Sequence, residues 1–204
     1  MKTKKQILFI HGGMTFKNKK DYLTFLKNYE LDPYKKRKYW SNWLVEKLKN
    51  KYEVFLTKMP CDKNAKYNEW KIWFEKYFKF IKDKNPILIG HSLGAIFLLK
   101  YLSENKFTKK ISQLHLFAPA ILDEELDVEK LATFKTNLKK IKKIKKECKE
   151  IHLWHSMDDN ICLFKNSEII KNIIPSAELH IFKKRGHFKD PTFPEIVKII
   201  KGLK

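Results

Sequence analysis

The sequence predicts an α/β protein: a three-layer, doubly wound, mainly parallel six-stranded sheet in one domain spanning residues 1–204. Three observations predict it. Six short apolar runs recur along the chain, and several are continuously apolar, as strands are when helices cover both faces of a sheet. Segments with apolar residues at helical spacing separate them, so strand and helix alternate. Parallel neighbours then require right-handed crossovers.

Gln6–Ile10 (QILFI) opens the sheet. Its apolar run stops after five residues at His11-Gly12, short of the ~7–15 residues of a signal-peptide core, and it reads as a buried strand. Met14–Tyr39 is longer than a simple connection and reads as an inserted segment, about 14–39. Within it, Asp21–Tyr29 places Tyr22, Phe25, Leu26 and Tyr29 on one helical face, Pro33 ends the pattern, and Lys35–Lys38 forms a basic patch. Trp40–Lys49 carries Trp40, Trp43, Leu44 and Leu48 as a helical stripe, and Tyr52–Thr57 is the second strand. Glu69–Lys82 repeats the helical spacing with Trp70, Trp73, Phe74, Tyr77, Phe80 and Ile81. These tryptophans read as core. Pro86–Ile89 is the third strand, and Leu93–Ser103 is a helix apolar on nearly all sides, fit for the centre of the molecule. Gln113–Phe117 follows. The basic helical segment at about 121–149 carries Leu131, Phe134, Leu138, Ile141 and Ile144 as one stripe among lysines, as in a surface helix packed by one face. Glu150–Trp154, Asn166–Ile174, Glu178–Phe182 and Pro194–Leu203 complete the alternation.

The stretch Gly90-His91-Ser92-Leu93-Gly94 sits where the third strand meets the apolar helix. Such a strand-to-helix elbow holds a serine in strained dihedrals and brings backbone close on both sides, which Gly90, Gly94 and the small Ala95 permit. A serine hydroxyl becomes a nucleophile only with a base, a group that orients the base, and donors for an oxyanion. The base belongs after the last strand, where Lys184-Arg185-Gly186-His187-Phe188 offers His187. The acid belongs after the penultimate strand, in IHLWHSMDDNICLF. There the spacing to an apolar re-entry at Ile161-Cys162-Leu163 favours Asp159, with Asp158 as a loop or cap residue. The order Ser92, Asp159, His187 is the one an elbow of this kind requires. The Leu93 N–H, at a helix start, is one oxyanion donor. His11-Gly12-Gly13-Met14 supplies the other, from Gly13 or alternatively Met14. Met14 and Phe188 flank these positions as candidate substrate contacts. The remaining histidines are assigned no chemistry, and His11 a structural role.

The formal charge is +21, and all but Arg37 and Arg185 of the 44 basic residues are lysines spread along the chain. Base and phosphate recognition draws on the arginine fork, so specific nucleic-acid binding is not expected. Weak attraction to polyanions or anionic membrane surfaces is compatible with this charge. The cysteines Cys61, Cys148 and Cys162 are odd in number and lack CxxC spacing, which argues against both a disulfide framework and a zinc site and for a reducing cytoplasm. No run approaches the ~20 apolar residues of a membrane span. No phosphate-loop, dinucleotide or metal motif appears, so no cofactor is expected.

At ILFIHGG, ILIGHSLGAIFLLKYLSE, HSMDDNICLF and KKRGHFKDPTFPEIVKIIKGL the chain resembles the α/β-hydrolase superfamily. More narrowly, it is similar to the small serine hydrolases of the retinoblastoma-binding protein 9 (YdeN-like) family. The resemblance implies a reduced α/β-hydrolase fold without a large lid domain. It implies a Ser92-Asp159-His187 triad and a carboxylesterase or amidase acting on a small acyl substrate. Two departures stand out: the long Met14–Tyr39 segment, and His155 where a small residue is common. The aromatic face of Asp21–Tyr29 is expected to wall an apolar acyl pocket. Two other classes of function compete: a catalytically idle hydrolase-like binding protein, and a charge-driven polyanion or membrane-surface binder. The spacing of serine, aspartate and histidine is explained only by hydrolysis of an ester, thioester or amide.

Overall fold

The structure is a computed structural model that describes residues 4–34, 39–123 and 130–202. The expected basic patch at 35–38 and part of the 121–149 segment lie outside the described residues. The strands are β1 (Lys5–Ile10), β2 (Tyr52–Thr57), β3 (Ile87–His91), β4 (Ile111–Phe117), β5 (Cys148–Ser156) and β6 (Glu178–Phe182). They form one sheet in the order β2-β1-β3-β4-β5-β6, and every pair is parallel. The chain winds outward from β1 to β2, then crosses back to β3. The carboxyl ends of β1 and β3 therefore meet at a switch point, where open α/β sheets leave a crevice.

Helix α1 (Lys19–Asn28) lies in the inserted segment, and α2 (Trp40–Leu48), α3 (Tyr67–Glu75) and α4 (Leu93–Glu104) follow. The last three are α5 (Leu138–Ile141), α6 (Lys165–Ile173) and α7 (Pro194–Ile200). Helices α2 and α7 pack together on one face of the sheet, and α3, α4 and α5 pack on the other. Residues Leu93 to Leu99 of α4 are all buried, which explains its apolar sequence. The β1 side chains from Ile7 to Ile10 are buried on both faces, as its unbroken apolar run requires. No helix among the described residues is long and apolar enough to cross a membrane.

Two expected helices come out differently. Glu69–Lys82 is regular only to Glu75 and then tightens into a 3₁₀ turn over Lys76–Phe80, which leaves Trp73 and Phe80 largely exposed while Trp70 and Phe74 are sealed. The basic segment keeps its stripe, with Leu131, Phe134, Ile141 and Ile144 buried, but not its continuity. It is a 3₁₀ turn (Ala132–Phe134), α5 and a second 3₁₀ turn (Lys142–Lys146). Asn137 caps α5 by accepting the Lys139 N–H, and Lys135 just before it is extended. Crowded lysines one turn apart repel and disfavour a long regular helix here.

The tightest packing in the sheet lies between β3 and the first turn of α4. A Cβ on Gly90 would stand 2.6 Å from the Gly94 carbonyl and 2.7 Å from the Ala95 backbone. These are backbone atoms at the centre of the fold and have no room to yield. Gly90→Ala is therefore expected to destabilise the protein by about 2–3 kcal/mol, read as a lower urea midpoint with an unchanged slope.

Candidate active site

The crevice above β1 and β3 is built from four chain segments. The first is the elbow. Ser92 has φ 54° and ψ −122°, a left-handed strained conformation for a residue with a side chain. Its N–H donates to the Phe117 carbonyl at 2.9 Å, and its carbonyl accepts the Ala95 and Ile96 N–H groups at 2.8 and 3.1 Å. The strain is thus held by hydrogen bonds on both sides. Leu93 begins α4, so its N–H belongs to the helix-start donors that have no carbonyl partner within the helix.

The second segment is His11–Met14. A Cβ on Gly12 would sit 3.2 Å from the Ser92 Cβ, which places this backbone directly against the serine. Met14 N–H donates to the Asp62 carbonyl at 2.7 Å, and the Met14 carbonyl accepts the Ala65 N–H at 2.9 Å. The Met14 N–H is therefore engaged, whereas the Gly13 N–H meets no backbone carbonyl outside the regular elements among the described residues. His11 has a structural role: its Nε2 accepts the Met59 N–H at 2.9 Å while Nδ1 donates to the Gly12 carbonyl.

The third and fourth segments carry Asp159 and His187, the expected acid and base. His187 Nδ1 lies 2.8 Å from Asp159 Oδ2, and both side chains are almost fully buried. The other carboxylate oxygen of Asp159 accepts the Ile161 and Cys162 N–H groups at 2.9 and 3.0 Å. Burial opposes ionisation of Asp159. The His187 hydrogen bond and charge, with those two backbone donors, outweigh it and hold the carboxyl below the usual carboxylate range. Asp158 does different work. Its Oδ1 accepts the Ser156 hydroxyl and the Arg185 and Gly186 N–H groups, at 2.5, 3.2 and 2.9 Å. It therefore staples the loop bearing His187 to the end of β5, a role wider than a local cap.

Two histidines that the sequence left without chemistry support this arrangement. His91 Nε2 donates to the His187 carbonyl at 3.0 Å, tying the base loop to the residue before Ser92. Dense packing around its ring, with His187 beside it, lowers its pKa to about 3, so it is a neutral tether. His155 is fully buried, with Nδ1 2.6 Å from Ser167 Oγ and Nε2 2.6 Å from the Cys162 carbonyl. It braces the acid loop from behind, which accounts for an imidazole where a small residue is common. Neither role has a sequence signal, because each depends on contacts between distant segments.

Two expectations about the pocket are corrected. Phe188, expected as a substrate contact, is 1% exposed and enclosed by Phe117, Phe182 and Phe193 at ring distances of 5.5, 5.8 and 5.5 Å. It anchors the base loop in the core, with its own φ of 51°. Helix α1 buries no residue, and its Tyr22 and Phe25 pack on Phe16. It does not wall the cavity beside Ser92. That cavity, about 30 Å³, is lined by Gly13, Thr15, Leu93, Ile96, Ala120 and Leu131, among others, and not by Met14. Lys130 lines both it and a broader groove of about 620 Å³ that includes Lys17, Asp123 and Lys135.

Comparison with known proteins gives a consistent assignment. Residues 34–193 match the family described as serine hydrolase. The serine hydrolase RBBP9 of Rattus norvegicus is 25% identical over 166 residues, covering 80% of this chain and 86% of the relative. The ydeN product of B. subtilis superposes with a TM-score of 0.72 at 19% identity, covering 97% of both chains. The Pyrococcus furiosus esterase Pf2001 superposes with a TM-score of 0.60 at 18% identity, covering 98% of this chain and 82% of that one. The fold is thus the reduced α/β-hydrolase form, with no large lid among the described residues.

The lowered Asp159 pKa has a consequence for acid stability. Because the folded value lies below the unfolded one, ionised Asp159 stabilises the fold above the ordinary carboxylate range, and this contribution is lost as pH falls through the lowered value. Asp159→Asn is expected to flatten the acid limb of the stability–pH curve, measured by urea unfolding from pH 7 downward.

Proposed function

The chain belongs to the serine hydrolase family, and from that premise we propose that it is a carboxylesterase working through Ser92, His187 and Asp159. One observation carries the reading: the buried 2.8 Å hydrogen bond between His187 Nδ1 and Asp159 Oδ2. It fixes the tautomer. With Nδ1–H donated to the carboxylate, the lone pair on Nε2 is left for the serine proton.

His187 Nε2 takes the proton from Ser92 Oγ as the oxygen attacks the ester carbonyl carbon. The carbonyl π-bond opens to an oxyanion that receives the N–H groups of Leu93 and Gly13. Asp159 holds the imidazolium in place. As the tetrahedral carbon collapses, the C–O bond to the leaving group breaks and His187 returns its proton to the departing oxygen. Water then repeats the sequence on the acyl-enzyme and releases the acid and free Ser92. No cofactor enters. The narrow, mostly apolar cavity beside Ser92 supports a short acyl group, and the broader lysine-bearing groove gives room for the alcohol portion. An acyl group on sulfur or nitrogen would follow the same course. The odd cysteine count without CxxC spacing supports a reducing cytoplasm as the working compartment.

A fluorophosphonate probe should label the wild-type protein and leave folded Ser92→Ala unlabelled, with 4-nitrophenyl acetate hydrolysis falling in parallel. His187→Ala and Asp159→Asn should each lose roughly 10⁴-fold or more in kcat. A folded wild type that neither labels nor hydrolyses overturns the reading. Across 4-nitrophenyl esters, kcat/KM should fall from acetate and propionate to octanoate. A rise with chain length would move the acyl group out of the cavity beside Ser92 and into the broader groove.

A further inference from the structure

Away from the crevice, three histidines stand side by side across the sheet. His115 on β4 pairs in register with His152 on β5, and β6 brings Glu178 opposite His152 and His180 opposite Trp154. Parallel partners point to the same face, here the one covered by α2 and α7. His152 Nδ1 lies 3.1 Å from His180 Nε2 and 3.4 Å from Glu178 Oε2, and His180 Nε2 lies 3.8 Å from Glu178 Oε1. Three ligand atoms of metal-binding type therefore converge on one small space.

His152 Nε2 faces Glu150 Oε2 at 3.4 Å. With Nε2–H donated there, Nδ1 is the bare nitrogen turned toward His180 Nε2 and Glu178, able to accept the His180 Nε2–H or to bind a cation in its place.

The surroundings match what orients metal-binding imidazoles. A ligating histidine usually donates its other ring N–H to a carboxylate, as His152 does to Glu150, and Glu150 is itself held by Gln113 Nε2 at 2.8 Å. The ring planes are fixed by stacking: His152 on His115 at 4.7 Å and 11°, His180 on Trp154 at 4.0 Å and 19°. Zinc bonds of about 2.0–2.2 Å in tetrahedral geometry separate ligand atoms by about 3.3 Å; His152 Nδ1 has its two partners at 3.1 and 3.4 Å, and His180 Nε2 lies 3.8 Å from Glu178 Oε1. His152 is buried, while the side chains of His180 and Glu178 are 17% and 63% exposed and leave a path from solvent.

We propose that His152 Nδ1, His180 Nε2 and the Glu178 carboxylate bind one divalent ion of the zinc class, with water as fourth ligand, clamping β5 to β6. Two imidazoles and a carboxylate suit zinc better than magnesium or calcium. The clamp lies on the two strands whose carboxyl ends carry Asp159 and His187, yet outside the catalytic constellation.

The test uses the untagged full chain, stripped with EDTA and titrated with Zn²⁺ against a chromophoric chelator. One equivalent should bind, His180→Ala should lose it, and Glu178→Gln should weaken it at least about tenfold. Glu150→Gln, which touches only the orienting carboxylate, should weaken it by about 10–100-fold. Zn²⁺ at about 100 times its dissociation constant should raise the melting temperature of the wild type by roughly 5–10 °C and leave His180→Ala unmoved. Cobalt(II) should give the visible bands of a four-coordinate site in the wild type only. Circular dichroism checks the fold, and should His180→Ala fail to fold, the two glutamate variants decide. Absence of stoichiometric binding, or equal binding in all the variants that fold, overturns the proposal. Either result leaves the serine mechanism standing.

Discussion

The structure turns on how closely the first turn of α4 approaches the carboxyl ends of β1 and β3. A side chain on Gly94 would run into the Ile10 carbonyl, and one on Gly90 into the first turn of α4. Because both positions are glycine, the helix start can sit directly over the sheet. Ser92 is then forced into the positive-φ conformation that a free chain avoids. Strain of this kind, about 1–3 kcal/mol, persists only where the surroundings over-determine it. Here they do so through the hydrogen bonds from Ser92 to Phe117 and from Ala95 and Ile96 to Ser92.

The pairing of His187 with Asp159 rests on a different principle. Nothing in the chain nearby dictates where His187 sits, since its loop follows an edge strand. The loop is fixed by links to three other places: Asp158 and Ser156 at the end of β5, His91 beside the nucleophile, and the aromatic cluster that receives Phe188. Arg185 adds ion pairs to Asp190 and Glu195, which hold the loop against the start of α7. Asp159 is meanwhile enclosed between His187, His155 and its own backbone turn.

These two principles explain what could be read from the sequence. The six strands and the elbow were legible because they are local: apolar runs, glycines at fixed offsets, a serine between them. That Asp159 and His187 would meet was legible through their place after the fifth and sixth strands. Phe188 was misread because its position next to His187 says nothing of where its ring points. α1 was misread because an aromatic face does not reveal what it packs against, and that partner is Phe16. The wider role of Asp158, the His91 tether and the histidine row across β4, β5 and β6 all need register or loop docking, which no single stretch encodes.

The strand order has a consequence for how the molecule fails. Ser92 follows β3, inside the sheet, whereas His187 follows β6, an edge strand with one neighbour. Proteins open in units, and edges open before centres. On mild heating His187 is therefore expected to part from Asp159 while the elbow is still folded. Under the proposed mechanism that state retains most of its sheet and Ser92 but lacks its proton acceptor, so that inactivation precedes denaturation.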